Sequence, residues 1–180
     1  MQAILSLVDP ASADRVKGIL AELNNHLGLQ GVNAFPYPHI SVCFMSGYSQ
    51  ARVEERLHDA VTRFKPFKVK TAGIGIFLKP NPVLFVSVVR GSALERLHRL
   101  ITKAFSPMGG DTDFYTADRW VPHITLAVGD LTTELLPDAV RLVSQRDFHW
   151  EITLDNLTFA EETQAGLVIQ SIYRFNAKPE

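Results

Sequence analysis

Two short segments of the chain place a hydroxyl side chain two residues after a histidine. Both begin Pro-His-Ile and continue with the polar and apolar alternation that is typical of a β-strand. The segments are residues 38–42 and 122–126. None of the other four histidines is followed by Ser or Thr at this spacing. The matched pair is therefore the first candidate for a reactive site.

Strand geometry predicts where each histidine and its hydroxyl point. In an extended strand, residues i and i+2 lie on the same face, about 7 Å apart. His39 and Ser41 should therefore share one face, and His123 and Thr125 should do likewise. The residues between and after them are apolar and should face the core; they are Ile40, Val42, Ile124 and Leu126.

Two imidazoles and two hydroxyls are suited to chemistry on a phosphodiester. Imidazole has a reference pKa of about 6.5, so near neutral pH one ring can accept a proton while the other donates one. The hydroxyls can bind the non-bridging oxygens and hold the phosphorus between the rings. If the two faces meet across a groove, we expect the ring nitrogens to be about 5–8 Å apart.

The motifs occupy equivalent places in a repeated order of predicted elements. The first unit is predicted as strand 2–8, a helix capped by Asp9 and ended by Gly28, strand 38–44, a helix from about Ser49 and strand 67–77. The second unit begins with strand 83–89 and a helix opened by a capping box at residues 92–95. A long loop at 106–121 then leads to strand 122–128. A short helix around 137–145 and strand 148–160 complete the unit. A last strand, 166–175, would form a hairpin with the preceding one.

These elements predict an α+β fold in which a β-α-β-α-β unit is duplicated. His39 and His123 are 84 residues apart, and Phe64 and Asp147 are 83 apart, so the offset is nearly constant. We expect one bilobal domain over residues 1–180, with repeat one at about 1–78 and repeat two at about 82–160. Mostly antiparallel sheets should face a central groove, with the helices outside. Unduplicated α+β chains also give crude repeats, but the matched motifs favour duplication.

Composition excludes several classes of protein. The 180 residues are 46% hydrophobic, which is enough for a core without metals or disulfides. No apolar stretch approaches the ~18 residues of a membrane span, and we expect no signal peptide. The formal net charge of -1 argues against a long duplex nucleic acid as partner. The single cysteine, Cys43, fits a reducing compartment, and we expect a cytoplasmic monomer.

The paired motifs and the repeated elements resemble the two-histidine (2H) phosphoesterase superfamily, in particular its bacterial 2′-5′ RNA ligase-like branch. Members carry two His-x-Ser/Thr-x motifs in a bilobal duplicated fold, and the resemblance covers nearly the whole chain. It implies that His39 and His123 are catalytic and that Ser41 and Thr125 bind phosphate. It also implies a reaction without metal or cofactor that opens 2′,3′-cyclic phosphates or related phosphodiesters of RNA ends or small nucleotides. Some similar proteins also join RNA ends through a 2′-5′ bond.

One position departs from the family pattern. Many RNA-directed members have an arginine five residues after the second histidine, where this chain has Val128. The departure concerns the substrate more than the chemistry, and Arg119 is a candidate source of the missing charge. Phe44 matches the aromatic residue that often follows the first motif. The aromatic residues beside the motifs could stack on a base or fill the groove; they are Phe35, Tyr37, Tyr48, Phe114, Tyr115 and Trp120.

The alternative is a protein that binds nucleotides or RNA on the same fold without turnover. The missing arginine favours that alternative, whereas two intact motifs favour an enzyme. A zinc site is not expected, because the sequence has no H-x-x-x-H pair, no cysteine pair and no carboxylate in either motif. Structural or surface roles are expected for the remaining histidines, His26, His58, His98 and His149.

Overall fold

A computed structural model describes residues 1–78, 81–105, 114–164 and 166–176 of the chain. The helices are α1 (Pro10–Leu27), α2 (Gln50–Val61), α3 (Ser92–Ala104) and α4 (Leu136–Val143), and a 3-10 turn spans Gly31–Ala34. The strands are β1 (Gln2–Leu7), β2 (His39–Met45), β3 (Phe67–Phe77), β4 (Val83–Val88), β5 (His123–Ala127), β6 (Glu151–Leu154), β7 (Asn156–Thr163) and β8 (Gly166–Arg174). Residues 106–113 of the long predicted loop and Ala165 of the last hairpin lie outside the described residues. Within the described ranges, no helix combines the length and the apolarity that crossing a bilayer requires.

The described strands form two four-stranded antiparallel sheets. The first has the order β2-β1-β7-β8 and the second the order β5-β4-β3-β6. The strands that carry the motifs, β2 and β5, are edge strands of their sheets and lie next to each other. Helix α3 packs on β2, and α1 packs on β5 and α4. The predicted α+β fold, with antiparallel sheets and outer helices, is confirmed.

The two antiparallel strand pairs that carry the motifs, β1–β2 and β4–β5, are built in the same way. In each, a valine N–H donates to the carbonyl of the proline before the histidine: Val8 to Pro38 at 3.2 Å and Val88 to Pro122 at 3.1 Å. In each, the register also slips by one residue inside the motif, leaving out Val42 in β2 and Leu126 in β5. A bulge at the same position of both motifs is what duplication predicts, because bulges are retained among related strand pairs.

Two predicted elements differ from the structure. The strand predicted at 148–160 is two strands, because the chain leaves the second sheet after Leu154 and enters the first at Asn156. The predicted capping box is also wrong. Gly91 is the N-cap of α3 and no side chain caps the helix, so Ser92 is already a helical residue.

The sheets exchange strands between the predicted repeats. β3 follows α2 in the first unit, but it pairs with β4 and β6 in the second sheet. β7 comes from the second unit, but it pairs with β1 in the first sheet. The exchange is reciprocal, so each sheet contains strands from both halves. The repeat boundaries at about 1–78 and 82–160 remain a prediction.

The apolar half of each motif is buried behind the groove, as strand alternation predicts. Ile40, Val42 and Ile124 have no exposed surface, and Leu126 has 1%. All four belong to one core cluster that includes residues of both sheets and of every helix. Packing of this kind fixes the two strands, and with them the direction of each histidine.

Candidate active site

His39 opens β2 with its imidazole anchored on the backbone. Its Nδ1 lies 2.7 Å from the carbonyl oxygen of Tyr37. A carbonyl oxygen only accepts, so Nδ1 carries the proton and Nε2 is left for other partners. The ring of Phe35 packs against the imidazole in a T-shaped contact at 5.0 Å. Burial lowers the pKa of His39 to about 4; the Tyr37 hydrogen bond opposes this effect, and the charge of His123 adds to it.

His123 repeats this anchoring at the start of β5. Its Nδ1 lies 2.7 Å from the carbonyl oxygen of Val121, which again leaves Nε2 for other partners. Phe77 makes a T-shaped contact with the imidazole, with ring centres 5.2 Å apart, and the ring of Phe85 packs at a tilt with its centre 5.0 Å away. Burial lowers the pKa of His123, and the hydrogen bond to Val121 opposes it. Without substrate, both rings are therefore neutral near pH 7 and share one tautomer.

The two motifs meet between the sheets. Strands β2 and β5 are neighbours, and His39 and Thr125 line the same small cavity. The charge of His123 acts on His39, which places the rings within electrostatic range of each other. The fold thus brings together two motifs whose histidines are 84 residues apart in the sequence. The spacing of about 5–8 Å between the ring nitrogens stays a prediction.

The segment before the second motif binds Ser41 through its backbone carbonyl and through its side-chain hydroxyl. The indole Nε1–H of Trp120 donates to the Ser41 carbonyl at 3.1 Å. The Tyr115 hydroxyl is hydrogen-bonded to the Ser41 side chain. Burial raises the pKa of Tyr115 to about 12, although the bond to Ser41 lowers it, so the phenol stays protonated. A protonated phenol can donate to Ser41 and leave the serine proton free for a phosphate oxygen.

The other predicted contact residues are spread around these motifs. Tyr37 is 50% exposed and lines the small cavity. Phe44 packs in a T-shaped contact against Tyr115 at 4.8 Å. The guanidinium of Arg119 lies 5.2 Å from the ring centre of Phe114. Phe44, Tyr37, Tyr115 and Arg119 remain candidates for contact with the substrate.

Trp120 fills the protein interior. Its side chain is 3% exposed and stacks on the imidazole of His98 at 4.0 Å, with the ring planes 5° apart. His98 is fully buried, and its Nε2 donates to the Tyr115 carbonyl at 2.9 Å. Of the two roles considered for Trp120, stacking on a base and filling the groove, its burial favours the second. His98 has the structural role expected from the sequence.

Two aromatic residues beside the second histidine were not among the sequence candidates. Phe77 comes from β3 and Phe85 from β4, and both reach His123 across the second sheet. Phe85 lies opposite Gly75 in the β3–β4 pair, and a Cβ on that glycine would overlap the Phe85 ring. A glycine inside a strand marks such a close approach, and Gly75 is the signal that could have revealed this contact.

The arrangement can accept and donate protons on two sides of one phosphate. A neutral Nε2 is a base, and a bound anionic phosphate raises the pKa of a nearby imidazole so that it can act as an acid. No group of three His, Cys, Asp or Glu residues comes together as a metal site in the part of the chain that the structure describes. Independence of metal remains a prediction that needs a measurement.

Comparison with known proteins identifies the family. The sequence profile of the 2′-5′ RNA ligase superfamily matches residues 8–166, a range that contains both histidine motifs. The chain belongs to this superfamily. The resemblance drawn from the motifs is thereby confirmed.

One curated relative and two solved structures are similar to this chain over most of its length. An RNA 2′,3′-cyclic phosphodiesterase of Archaeoglobus fulgidus is 30% identical over 150 residues, covering 78% of this chain and 79% of the relative. A solved structure from Thermus thermophilus has a TM-score of 0.68 at 14% identity and covers 99% of both chains. LigT of E. coli, solved with 3′-AMP, has a TM-score of 0.57 at 15% identity and covers 98% of this chain and 99% of its own. At these identities, the two solved structures show a shared fold.

Proposed function

We propose that this member of the superfamily is a metal-independent phosphoesterase that opens the 2′,3′-cyclic phosphate of an RNA end or a small nucleotide. The observation that carries the proposal is the matched anchoring of His39 and His123. Each Nδ1 is 2.7 Å from a backbone carbonyl, and each Nε2 is left for the phosphate. The name of the A. fulgidus relative and the 3′-AMP held by LigT support this class of substrate.

Hydrolysis requires one proton to be taken and one to be given. One Nε2 takes a proton from water as the water oxygen bonds to phosphorus. The other, protonated, gives its proton to the ribose oxygen as the bond from that oxygen to phosphorus breaks. Ser41 and Thr125 bind the non-bridging oxygens and stabilise the charge that develops there. The two rings are anchored alike, so either can start as the base.

Ligation follows the same steps with a different nucleophile. When the 5′-hydroxyl of a second RNA end takes the place of water, its oxygen bonds to phosphorus. The ribose O3′ then leaves with the proton from the acid, and the product is a 2′-5′ phosphodiester. We propose this as a second activity of the same site.

The charge of the chain supports a short substrate. The formal net charge is -1, and Val128, where RNA-directed members have arginine, is 36% exposed. A protein that follows a long duplex needs many cations along its surface. We propose that the chain acts as a cytoplasmic monomer; Cys43 is a free, buried thiol, as a reducing compartment permits.

Turnover of adenosine 2′,3′-cyclic phosphate by histidine variants tests the proposal. His39→Ala and His123→Ala should each reduce kcat by about 10²–10⁴-fold, the usual contribution of a general acid or base. Circular dichroism should show both variants folded. His58→Ala, at an exposed position of α2, is the matched control and should keep the wild-type rate. EDTA should also leave the wild-type rate unchanged.

Two results would contradict the mechanism. One is a wild-type rate of turnover in His39→Ala or in His123→Ala. The other is inactivation by EDTA that a divalent metal ion reverses, which would place the reaction in a metal-dependent class.

A nucleotide-binding protein without turnover is the second candidate, and Val128 at the arginine position favours it. That candidate predicts binding of nucleotides with no product from any cyclic phosphate. Screening nucleoside 2′,3′-cyclic phosphates, short RNAs with cyclic phosphate ends, ADP-ribose cyclic phosphate and 2′-5′ oligoadenylate for products separates the two functions.

A further inference from the structure

A cavity of about 270 Å³ lies between α1, the 3-10 turn and the end of β5. Apolar residues form much of its wall, including Leu20, Leu29, Val32 and Leu126. Polar side chains that line it are Lys17, Asn24, Gln30, Asn33 and Asp130. A space of this size holds about nine waters, and a purine base has a similar number of non-hydrogen atoms.

This cavity adjoins the histidine groove. The small cavity that His39 and Thr125 line shares three wall residues with it, namely Leu20, Val32 and Pro36. A group bonded to a phosphate between the histidines therefore has the larger cavity as its neighbour.

The equivalent space in the second repeat is filled. The buried residues of α1 and the matching residues of α3 and its C-cap follow one constant offset; they are Ser12, Val16, Ile19 and Leu23 in the first helix, and Leu94, His98, Ile101 and Phe105 in the second. His98 therefore occupies the position of Val16. Trp120 occupies the position of Pro36, since each precedes its motif histidine by three residues.

This difference makes the groove asymmetric. Val16 and Pro36 line the small cavity at the first end, whereas the stacked rings of His98 and Trp120 fill the corresponding place at the second end. Among the described residues, the end towards α1 therefore has an open cavity beside the histidine, whereas the matching place towards α3 is filled.

The wall of the larger cavity is fixed in place. The Asp130 carboxylate accepts the backbone N–H groups of Gln30 at 2.5 Å and Gly31 at 2.7 Å. Gly31 approaches the Val128 carbonyl so closely that a Cβ on it would overlap that oxygen. The 3-10 turn is thus docked on the end of β5, and the cavity is formed before any ligand arrives.

We propose that this cavity binds the nucleobase of the substrate whose phosphate lies between His39 and His123. The apolar wall suits the faces of a base. The carboxamides of Asn24 and Asn33 offer a donor and an acceptor each, as the edge of a base requires. Lys17 adds a positive charge for an anionic nucleotide. The position of the phosphate rests on the proposed function; the cavity itself does not.

Binding of product-like ligands tests the cavity without turnover. Titration calorimetry gives the Kd of each of the four nucleoside 2′-monophosphates, in which the bond from O3′ to phosphorus is already broken, and of inorganic phosphate. The ratio of phosphate Kd to nucleotide Kd measures what ribose and base contribute together, and its differences among the four nucleotides report the base. Ala21→Trp places a bulky ring at an exposed position of α1 that lines the cavity, and it should reduce this ratio about tenfold or more. Asn24→Ala should reduce it and change the order of preference among the four bases.

Matched controls sit outside the cavity. Ala51→Trp is at an exposed position of α2, and Asn25→Ala is the exposed neighbour of Asn24. Both should leave the ratio unchanged. Unchanged ratios in Ala21→Trp and Asn24→Ala, or wild-type nucleotide binding no tighter than that of phosphate, would overturn the inference. Turnover of cyclic phosphates could then still hold; conversely, base-dependent binding without turnover would overturn only the proposed function.

Discussion

Each histidine of the groove is tied to the backbone through Nδ1 and packed against aromatic rings. Phe35 contacts His39, while Phe77 and Phe85 contact His123. Removing an imidazole from water disfavours its charged form, so the free site contains two bases. The negative charge of a bound phosphate favours imidazolium, and substrate binding thus helps to create the acid that the reaction needs.

The pH dependence of turnover should reflect these lowered pKa values. Because burial lowers the pKa of His39 to about 4 and lowers that of His123, the singly protonated free enzyme becomes more abundant as the pH falls from about 7.5 to about 5. The value of kcat/KM for a cyclic nucleotide should rise over this range. The kcat profile should lie closer to neutral pH, because the bound phosphate raises both pKa values. A kcat/KM that falls steadily from pH 7 to pH 6 would contradict this account.

At the scale of secondary-structure elements, the second histidine depends on the fit between β3 and β4. Gly75→Ala would press a methyl group into the Phe85 ring, which packs on His123. We expect a loss of about 1–3 kcal/mol in the free energy of unfolding, the usual cost of overpacking, together with a lower kcat. Urea denaturation and the turnover assay measure the two effects.

The control for this variant is Gly18→Ala on α1. Apart from the adjoining helix backbone, no atom lies within 4 Å of a Cβ built on Gly18, so the substitution should leave kcat unchanged and stabilise the helix by about 0.5–1 kcal/mol. Equal kcat values for the two variants would show that the Phe85 ring has no part in positioning His123.

The same elements show what the sequence could predict. Alternation within a few residues predicts the buried positions of β2 and β5, and the burial of Ile40, Val42, Ile124 and Leu126 confirms this part; the roles of the two motifs stay a prediction. The aromatic contacts of His123 depend on which strands pair across the second sheet, and no local pattern encodes that pairing. The switch of sheets at Asp155 was missed for the same reason. Apolar and polar residues alternate through most of 148–160 and give one strand-like signal, whichever sheet each part joins.

At the scale of the whole molecule, the buried imidazole of His98 should make the free energy of unfolding depend on pH. Burial lowers its pKa to about 4, with the charges of Arg90 and Arg99 adding to this and the Tyr115 hydrogen bond opposing it. The unfolded chain has an ordinary pKa of about 6.5 and binds the proton first, so the stability from neutral His98 is complete above about pH 6.5 and is lost towards pH 4. The loss is on the order of 3 kcal/mol.

Chemical denaturation at several pH values measures this effect. His98→Gln keeps a donor for the Tyr115 carbonyl but cannot titrate, so its free energy of unfolding should fall less steeply between pH 6.5 and pH 4 than that of the wild type. His58→Gln, at an exposed position, should follow the wild-type curve. Parallel curves for wild type and His98→Gln would exclude His98 as a source of acid sensitivity.

The reciprocal exchange of β3 and β7 makes the two halves mutually dependent. In a single β-α-β-α-β unit the first strand pairs with the second along one edge, and its other edge has no partner once the last strand has gone to the other sheet. That edge is covered when two copies exchange their last strands. The ancestor of a duplicated chain of this shape would therefore have been a strand-exchanged homodimer. The groove with its two histidines would then have been an interface between identical subunits. A fusion of two such copies would make that interface internal and would leave each end free to differ, as the ends differ here in Trp120 and the open cavity.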